Sequence, residues 1–239
     1  MVKTSGLNTR IYVEGTDLSG DVSALSGIGS NQALTDVTTL DLAATARLAG
    51  LKDGTLSCSA FFDNAASKGH AIWTALSGKI PTADQNVFVP LGTSIGDPVL
   101  MLVSKQGTYY VDRPTGGPVS CSVDYQATNG TSPDFGKLLT GGKVSDSSGT
   151  TYSAIDNAAS SADGMRAMIQ SFSLSSGTAT VTIQDSPDNI TYGTLGTFTA
   201  VTGKTSELLS VSGTVERYVR LLTSGTFSTL VLCVALTRL

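Results

Sequence analysis

Strict two-residue alternation constrains this chain more than any other feature. In Gly54-Thr-Leu-Ser-Cys-Ser-Ala-Phe-Phe62, Leu56, Cys58, Ala60 and Phe62 fall on one side while Thr55, Ser57 and Ser59 fall on the other. That is the period of a half-buried β-strand. Val119-Ser-Cys-Ser-Val-Asp-Tyr-Gln126 repeats it, with Val119, Cys121, Val123 and Tyr125 inward against Ser120, Ser122, Asp124 and Gln126. Arg10–Val13, Asp36–Leu40, Val87–Val89 and Val99–Val103 are further strand candidates, the last apolar on both faces and so expected to be central.

Composition supports the same reading. Ser (30), Thr (32) and Gly (26) supply 88 of 239 residues, while only 14% are charged, against about 25% in an average soluble domain. A coiled coil needs abundant Glu and Lys at repeating spacing, and a disordered tail needs a larger charge imbalance. The net charge of -4 lacks the basic footprint of a protein that grips nucleic acid. The longest apolar runs, Pro98–Val103 and Leu230–Leu236, are strand-length and far short of a membrane-spanning helix. The first residues lack the apolar core of a secretion signal, so a cytosolic origin is expected. Cys58, Cys121 and Cys233 are widely spaced and read as small buried hydrophobes.

The run 140–151, almost free of apolar residues, reads as a flexible connector. It divides the chain into a domain over 1–140, a linker over 141–150 and a domain over 151–239. The first half carries one expected helix, over 64–78, with Asn64 as cap, Ile72, Trp73, Leu76 and Ile80 on one side and Gly78 as stop. His70 and Trp73 on it read as a flanking imidazole and a core aromatic. The second half offers six strands, at 167–174, 178–184, 196–201, 206–211, 218–222 and 228–236, whose close spacing implies an Ig-like or jelly-roll-like β-sandwich.

Motifs for chemistry are weak. Gly92-Thr-Ser-Ile-Gly96 lacks the Lys-Ser/Thr of a phosphate loop and reads as a turn. Asp185–Asn189 reads as a hairpin connection before it reads as a cation loop. No catalytic residue, metal ligand or cofactor site is assigned, and an enzyme is not expected.

The order of elements carries a resemblance. Asp36-Val-Thr-Thr-Leu40, then Ala46-Arg-Leu-Ala-Gly-Leu-Lys-Asp-Gly-Thr-Leu-Ser57, then Phe61-Phe-Asp63 and the helix resembles the tail tube, or major tail, proteins of long non-contractile-tailed bacteriophages, over roughly residues 9–140. Thr180–Asp188 and Val211–Arg220 resemble the β-sandwich that some of these proteins add at the C-terminus. The resemblance implies a mainly β fold, with a tail-tube-type β-sandwich or barrel and one flanking helix ahead of the second sandwich. It also implies a virion protein, assembled in the host cytoplasm, that closes into six-copy rings. The rings stack into a tube through which DNA leaves without specific binding, in the company of tape measure, tail terminator and tail-tip proteins and with no membrane partner.

On that basis Ser57, Ser59, Ser120, Ser122, Asp124 and Gln126 would line the lumen, where a cation would hold passing phosphates. The other reading of the same residues is an ordinary solvated sheet face. The segment Leu40 to Gly54, expected as a loop, is too apolar to stand free, and Leu42, Leu48 and Leu51 are expected to order it against a neighbouring copy. Rival readings are a secreted carbohydrate-binding adhesin, a capsid decoration protein and a tail-tip component. Contact of the C-terminal domain with host-surface glycans stays open beside simple decoration of the tube.

Overall fold

The computed structural model describes residues 9–74, 78–129 and 133–239. In chain order the strands are β1 (Tyr12–Val13), β2 (Thr16–Asp17), β3 (Val22–Asp36), β4 (Arg47–Phe61), β5 (Gln85–Pro90), β6 (Pro98–Asp112), β7 (Ser120–Ala127), β8 (Asp134–Leu138), β9 (Val144–Asp146), β10 (Ile155–Asp156), β11 (Met165–Leu174), β12 (Gly177–Ser186), β13 (Gly193–Thr197), β14 (Thr205–Val211), β15 (Tyr218–Phe227) and β16 (Leu230–Arg238). A single helix among the described residues, α1 (Gly69–Trp73), lies between β4 and β5. The protein is mainly β, built of antiparallel sheets.

Spatial contacts divide the chain into two compact units that interleave along the sequence. The first holds described residues 9–20, 85–101 and 134–239; the second holds Asp21–Asp84 and Leu102–Pro133. The sequence instead suggests a cut at a 141–150 linker. That segment is ordered structure: β9 pairs with β16 through Leu230–Leu232, and buried Asp146 accepts hydrogen bonds from the Tyr152 hydroxyl (2.8 Å) and the Thr223 hydroxyl (2.8 Å). Most of the segment is exposed, yet Val144–Asp146 is paired and the Asp146 side chain is buried.

The first unit is a sandwich. In one sheet β11 pairs with β14 on one edge and β16 on the other, and β16 continues to β8 and β9. The other sheet runs β10-β15-β12-β13. Every second residue meets the facing sheet: Ala167 and Ile169 of β11 and Leu232 and Val234 of β16 against Val181 and Ile183 of β12 and Val219 and Leu221 of β15, all fully buried. Burying each Val, Leu or Ile contributes roughly 1.5–3 kcal/mol, which makes this the energetic centre of the unit.

The second face of β11 is buried too. Gln170 accepts from the Gly15 N–H (2.6 Å) and donates to the Asn86 carbonyl (3.0 Å) and the Ser206 hydroxyl (2.9 Å), while Tyr12 sets its ring edge-on to Phe172 at 4.8 Å. Gly15 has φ +68° and approaches the Ser171 carbonyl so closely that a Cβ would lie 2.5 Å from it. No other residue fits there without strain.

The second unit is a four-stranded antiparallel sheet, β3-β4-β7-β6 from Leu102 onward. Leu56, Cys58, Ala60, Cys121, Val123 and Tyr125 form its buried face. The fully buried Trp73 of α1 closes that face and donates its indole N–H to the Tyr125 hydroxyl at 2.8 Å. Burial pushes the Cys58 thiol up to about 12 and the Cys233 thiol of the first unit to about 12, so both behave as apolar side chains at neutral pH.

Several expectations are revised here. The helix spans five residues, with Lys68 at its N-cap and Asn64 outside it; residues 75–77, including Leu76, lie outside the described residues. The segment 37–40 is the start of a turn, and only Asp36 belongs to a strand. Long β3, between Val22 and Asp36, has no counterpart among the sequence candidates, because Gly27, Gly29 and the bulges between Val22/Ala24 and Ser26/Gly29 break its alternation. Each of the six expected C-terminal strands overlaps a strand of the structure, but β13 (Gly193–Thr197) shares only residues 196–197 with its expected 196–201, and β15 runs on to Phe227 instead of ending at 222.

Candidate functional site

Two features of the second unit stand out: the solvent face of its sheet, and the β3–β4 hairpin that extends from it.

The register of β4 against β7 runs without a shift from Thr55↔Gln126 through Ser57↔Asp124 and Ser59↔Ser122 to Phe61↔Ser120. Directly opposed residues share a face, so Ser57, Ser59, Ser120, Ser122, Asp124 and Gln126 form one contiguous polar surface. β6 extends it with Thr108 opposite Asp124, Tyr110 opposite Ser122 and Asp112 opposite Ser120. Its hydrogen bonds run across strands: Ser57 Oγ donates to Asp124 Oδ1 (2.6 Å), Thr108 Oγ1 to Asp124 Oδ2 (2.7 Å), and Gln126 Nε2 to Asp53 Oδ2 (3.1 Å). The Ser57 and Thr108 hydroxyls hold the Asp124 carboxyl below its ordinary range, so it is ionised at neutral pH.

One cation stands at the rim of this surface, and alternation in β4 and β7 gave no sign of it. Lys105, opposite Gln126 on β6, pairs its ammonium with Asp84 Oδ1 at 2.7 Å and donates to the Thr82 carbonyl. The bulge between Gln106 and Thr108 puts Lys105 on this face; counting by twos from Thr108 would have placed it on the other. Asp53, Asp112 and Asp124 leave the surface acidic.

The hairpin is the second feature. β3 and β4 each span 15 residues; Thr55–Phe61 pairs with β7 in the sheet, and the remaining half of β4, at about 3.3 Å per residue, makes an arm roughly 25 Å long. Residues 30–45 and 47–53 are exposed throughout. The segment expected as a loop from Leu40 to Gly54 is therefore two things: a turn over 37–46, holding Leu42, and the first half of β4, holding Leu48 and Leu51. Leu42 is 47% exposed, Leu48 64% and Leu51 89%. Leu34, Val37 and Leu40 join them. Leu34 sits in the mostly polar stretch Asn31–Asp36; it pairs with Ala49, on the face of the ribbon opposite Leu48, which pairs with Thr35.

Elsewhere on this unit His70 Nδ1 lies 2.7 Å from the Tyr109 hydroxyl and its ring tilts against Phe62 at 4.9 Å. On the first unit, the carboxylate of Asp188 accepts from the Ile190 and Thr191 N–H groups and from Ser186 Oγ, which makes 186–191 a self-satisfied turn.

No protein-family model and no curated protein matches the chain. Among solved structures it is similar to a chain of the virion of the native gene transfer agent particle, with 16% identity and a TM-score of 0.42 over 56% of this chain and 98% of that one. It is also similar to the SPP1 Dit protein, described as a paradigm of the hub adsorption apparatus in phages infecting Gram-positive bacteria, with 10% identity and a TM-score of 0.37 over 96% and 99% of the two chains. A third likeness, to the cap that terminates the tube of the anti-feeding prophage, has 8% identity and a TM-score of 0.42 over 53% and 88%. The functional reading below rests on the sheet face and the hairpin.

Proposed function

We propose that this chain is a structural protein of a phage-type virion tail, which closes into rings of six copies that stack into a tube for DNA ejection. The observation that carries the reading is the hairpin. An isolated two-stranded ribbon is marginal in water, and this one and its turn expose Leu34, Val37, Leu40, Leu42, Leu48 and Leu51. So many exposed large apolar side chains on one arm mark a contact site. Among the described residues β3 pairs with β4 alone, so its outer edge offers free backbone donors and acceptors to another strand, and a closed ring of copies removes such edges.

The sheet face supports the same reading from the chemical side. Six side chains expected at a lumen share one surface, Asp53, Asp112 and Asp124 lie on or beside it, and Lys105 at its rim pairs with Asp84. Such a wall offers phosphates little counterion-release affinity. Tape measure, terminator and tail-tip proteins are the partners this role would require.

Electron microscopy and sedimentation test the proposal. The wild-type chain, concentrated or mixed with tail partners, should give rings or tubes; replacement of Leu40, Leu48 and Leu51 by Ser should give a folded monomer. A wild-type chain that stays monomeric under all such conditions sinks the proposal. A decoration or tail-tip role would leave the polar face in bulk solvent, so Asp124→Lys should slow genome delivery only if that face lines a channel.

A further inference from the structure

The first unit carries a cleft of about 430 Å³ beside the ends of β8 and β16, lined by Phe135, Lys137, Asn157, Leu236 and Arg238, with Pro98 beside them. That volume suits a small ligand. Its two cations are held in place by hydrogen bonds to uncharged groups, with the Asp156 carboxylate acting on Lys137 through space. Lys137 Nζ donates to Asn157 Oδ1 at 3.1 Å. Arg238 donates through Nε to Ser161 Oγ at 3.0 Å and through Nη1 to the Ala159 carbonyl at 2.6 Å. All three acceptors are uncharged. Among the described residues neither Lys137 nor Arg238 forms a close ion pair: Asp156, although its charge also acts on Lys137, binds Arg217 through both oxygens at 2.7 and 2.6 Å, and Asp134 pairs with Arg166 at 3.2 Å. Phe135, 54% exposed, forms an apolar wall of the same cleft.

We propose that this cleft binds an acidic sugar, its ring packed on Phe135 and its carboxylate or phosphate held by Lys137 and Arg238. The C–H face of a pyranose matches an exposed aromatic ring, and a guanidinium fixed by two neutral acceptors keeps donors for an oxyanion. A nucleic acid strand is disfavoured, because the two cations stand on a chain of net charge -4 and do not continue as a basic track. The site is independent of the tube proposal, since every residue in it belongs to the first unit.

Titration of the full chain with glucuronate, glucose 6-phosphate, glucose and benzoate, followed by saturation-transfer NMR, tests it. Both acidic sugars or one of them should bind saturably, and which one binds separates a carboxylate from a phosphate ligand. Glucose should bind about tenfold more weakly or worse, the usual cost of losing one charge-assisted contact. Phe135→Ala and Lys137→Gln should each weaken the acidic sugar by about the same factor, while Arg220→Gln on the other sheet should leave it unchanged. Equal binding of glucose, tighter binding of benzoate than of either acidic sugar, insensitivity to Phe135→Ala, or no saturable binding at all would each overturn the assignment. Lys137 is exposed, so its variant remains informative if Phe135→Ala perturbs folding.

Discussion

The β11–β16 pair of the sandwich and the β3–β4 hairpin are both long antiparallel ribbons, yet they handle their apolar side chains in opposite ways. In β11 and β16 the alternate residues Ala167, Ile169, Leu232 and Val234 are fully buried against a second sheet of the same chain. In the hairpin Leu34, Leu48 and Leu51 face outward with nothing of their own chain on them. The first ribbon is stable because the chain supplies both layers. The second has one layer only, so its apolar surface contributes stability when another molecule covers it.

Breaking the buried ribbon should have the largest effect. Ile169→Ala opens a cavity between fully packed sheets and is expected to cost about 2–5 kcal/mol. For a chain of this size that lowers the thermal midpoint by roughly 5–15 °C, read by calorimetry on the unassembled protein. A drop no larger than that of a surface change would show that the sandwich core is not the stabilising centre.

A smaller loss is expected at the junction of α1 with its sheet. Trp73→Phe removes the indole N–H that donates to the Tyr125 hydroxyl. The expected cost is about 0.5–1.5 kcal/mol, by chemical denaturation. If Tyr125→Phe added to Trp73→Phe costs nothing further, the two side chains act as one unit.

The hairpin should invert the pattern. Leu48→Ser is expected to change monomer stability by no more than about 0.5 kcal/mol while abolishing or sharply weakening self-association measured by sedimentation. Equal damage to folding and association would mean the arm packs on its own chain and the contrast with β11 fails.

The smallest effect concerns acid. The folded-state pKa of Asp124 lies below its ordinary 3.8, held there by the Ser57 and Thr108 hydroxyls. Its contribution to stability is therefore complete above that ordinary value and is lost as pH falls through the folded one. Between about pH 5 and pH 2 the midpoint of the wild type should fall slightly more steeply than that of Asp124→Asn. Parallel curves would remove these hydrogen bonds from the stability of the sheet.

Legibility in the sequence followed burial. Leu56–Cys58–Ala60 and Cys121–Val123–Tyr125 announced their strands and their inner face, because one side of each strand is sealed and the other is not. The same alternation placed Ser57, Ser59, Ser120, Ser122, Asp124 and Gln126 together, and the unshifted register of β4 on β7 keeps them so. β3 was hidden for the converse reason: neither face of Leu25 to Asp36 is buried in the chain, so no apolar period was imposed on it. The spacing of Ile72, Trp73, Leu76 and Ile80 suggests a longer helix than the one found among the described residues, Gly69–Trp73.

What the sequence determined by itself was local: a mainly β chain, the strands with a sealed face, the inert character of its cysteines and the chemistry of one polar surface. These follow from side-chain period and polarity, which act between near neighbours. What the tertiary structure decided was which distant segments meet. It joined residues 9–20 and 85–101 to 134–239, turned the polar stretch 141–150 into a paired strand with a buried carboxylate, carried Lys105 to the rim of the acidic face through one bulge, and set Lys137, Arg238 and Phe135 around one cleft. Contacts between residues tens to nearly two hundred positions apart leave no period in the chain, since they arise from strand pairing and register rather than from local spacing.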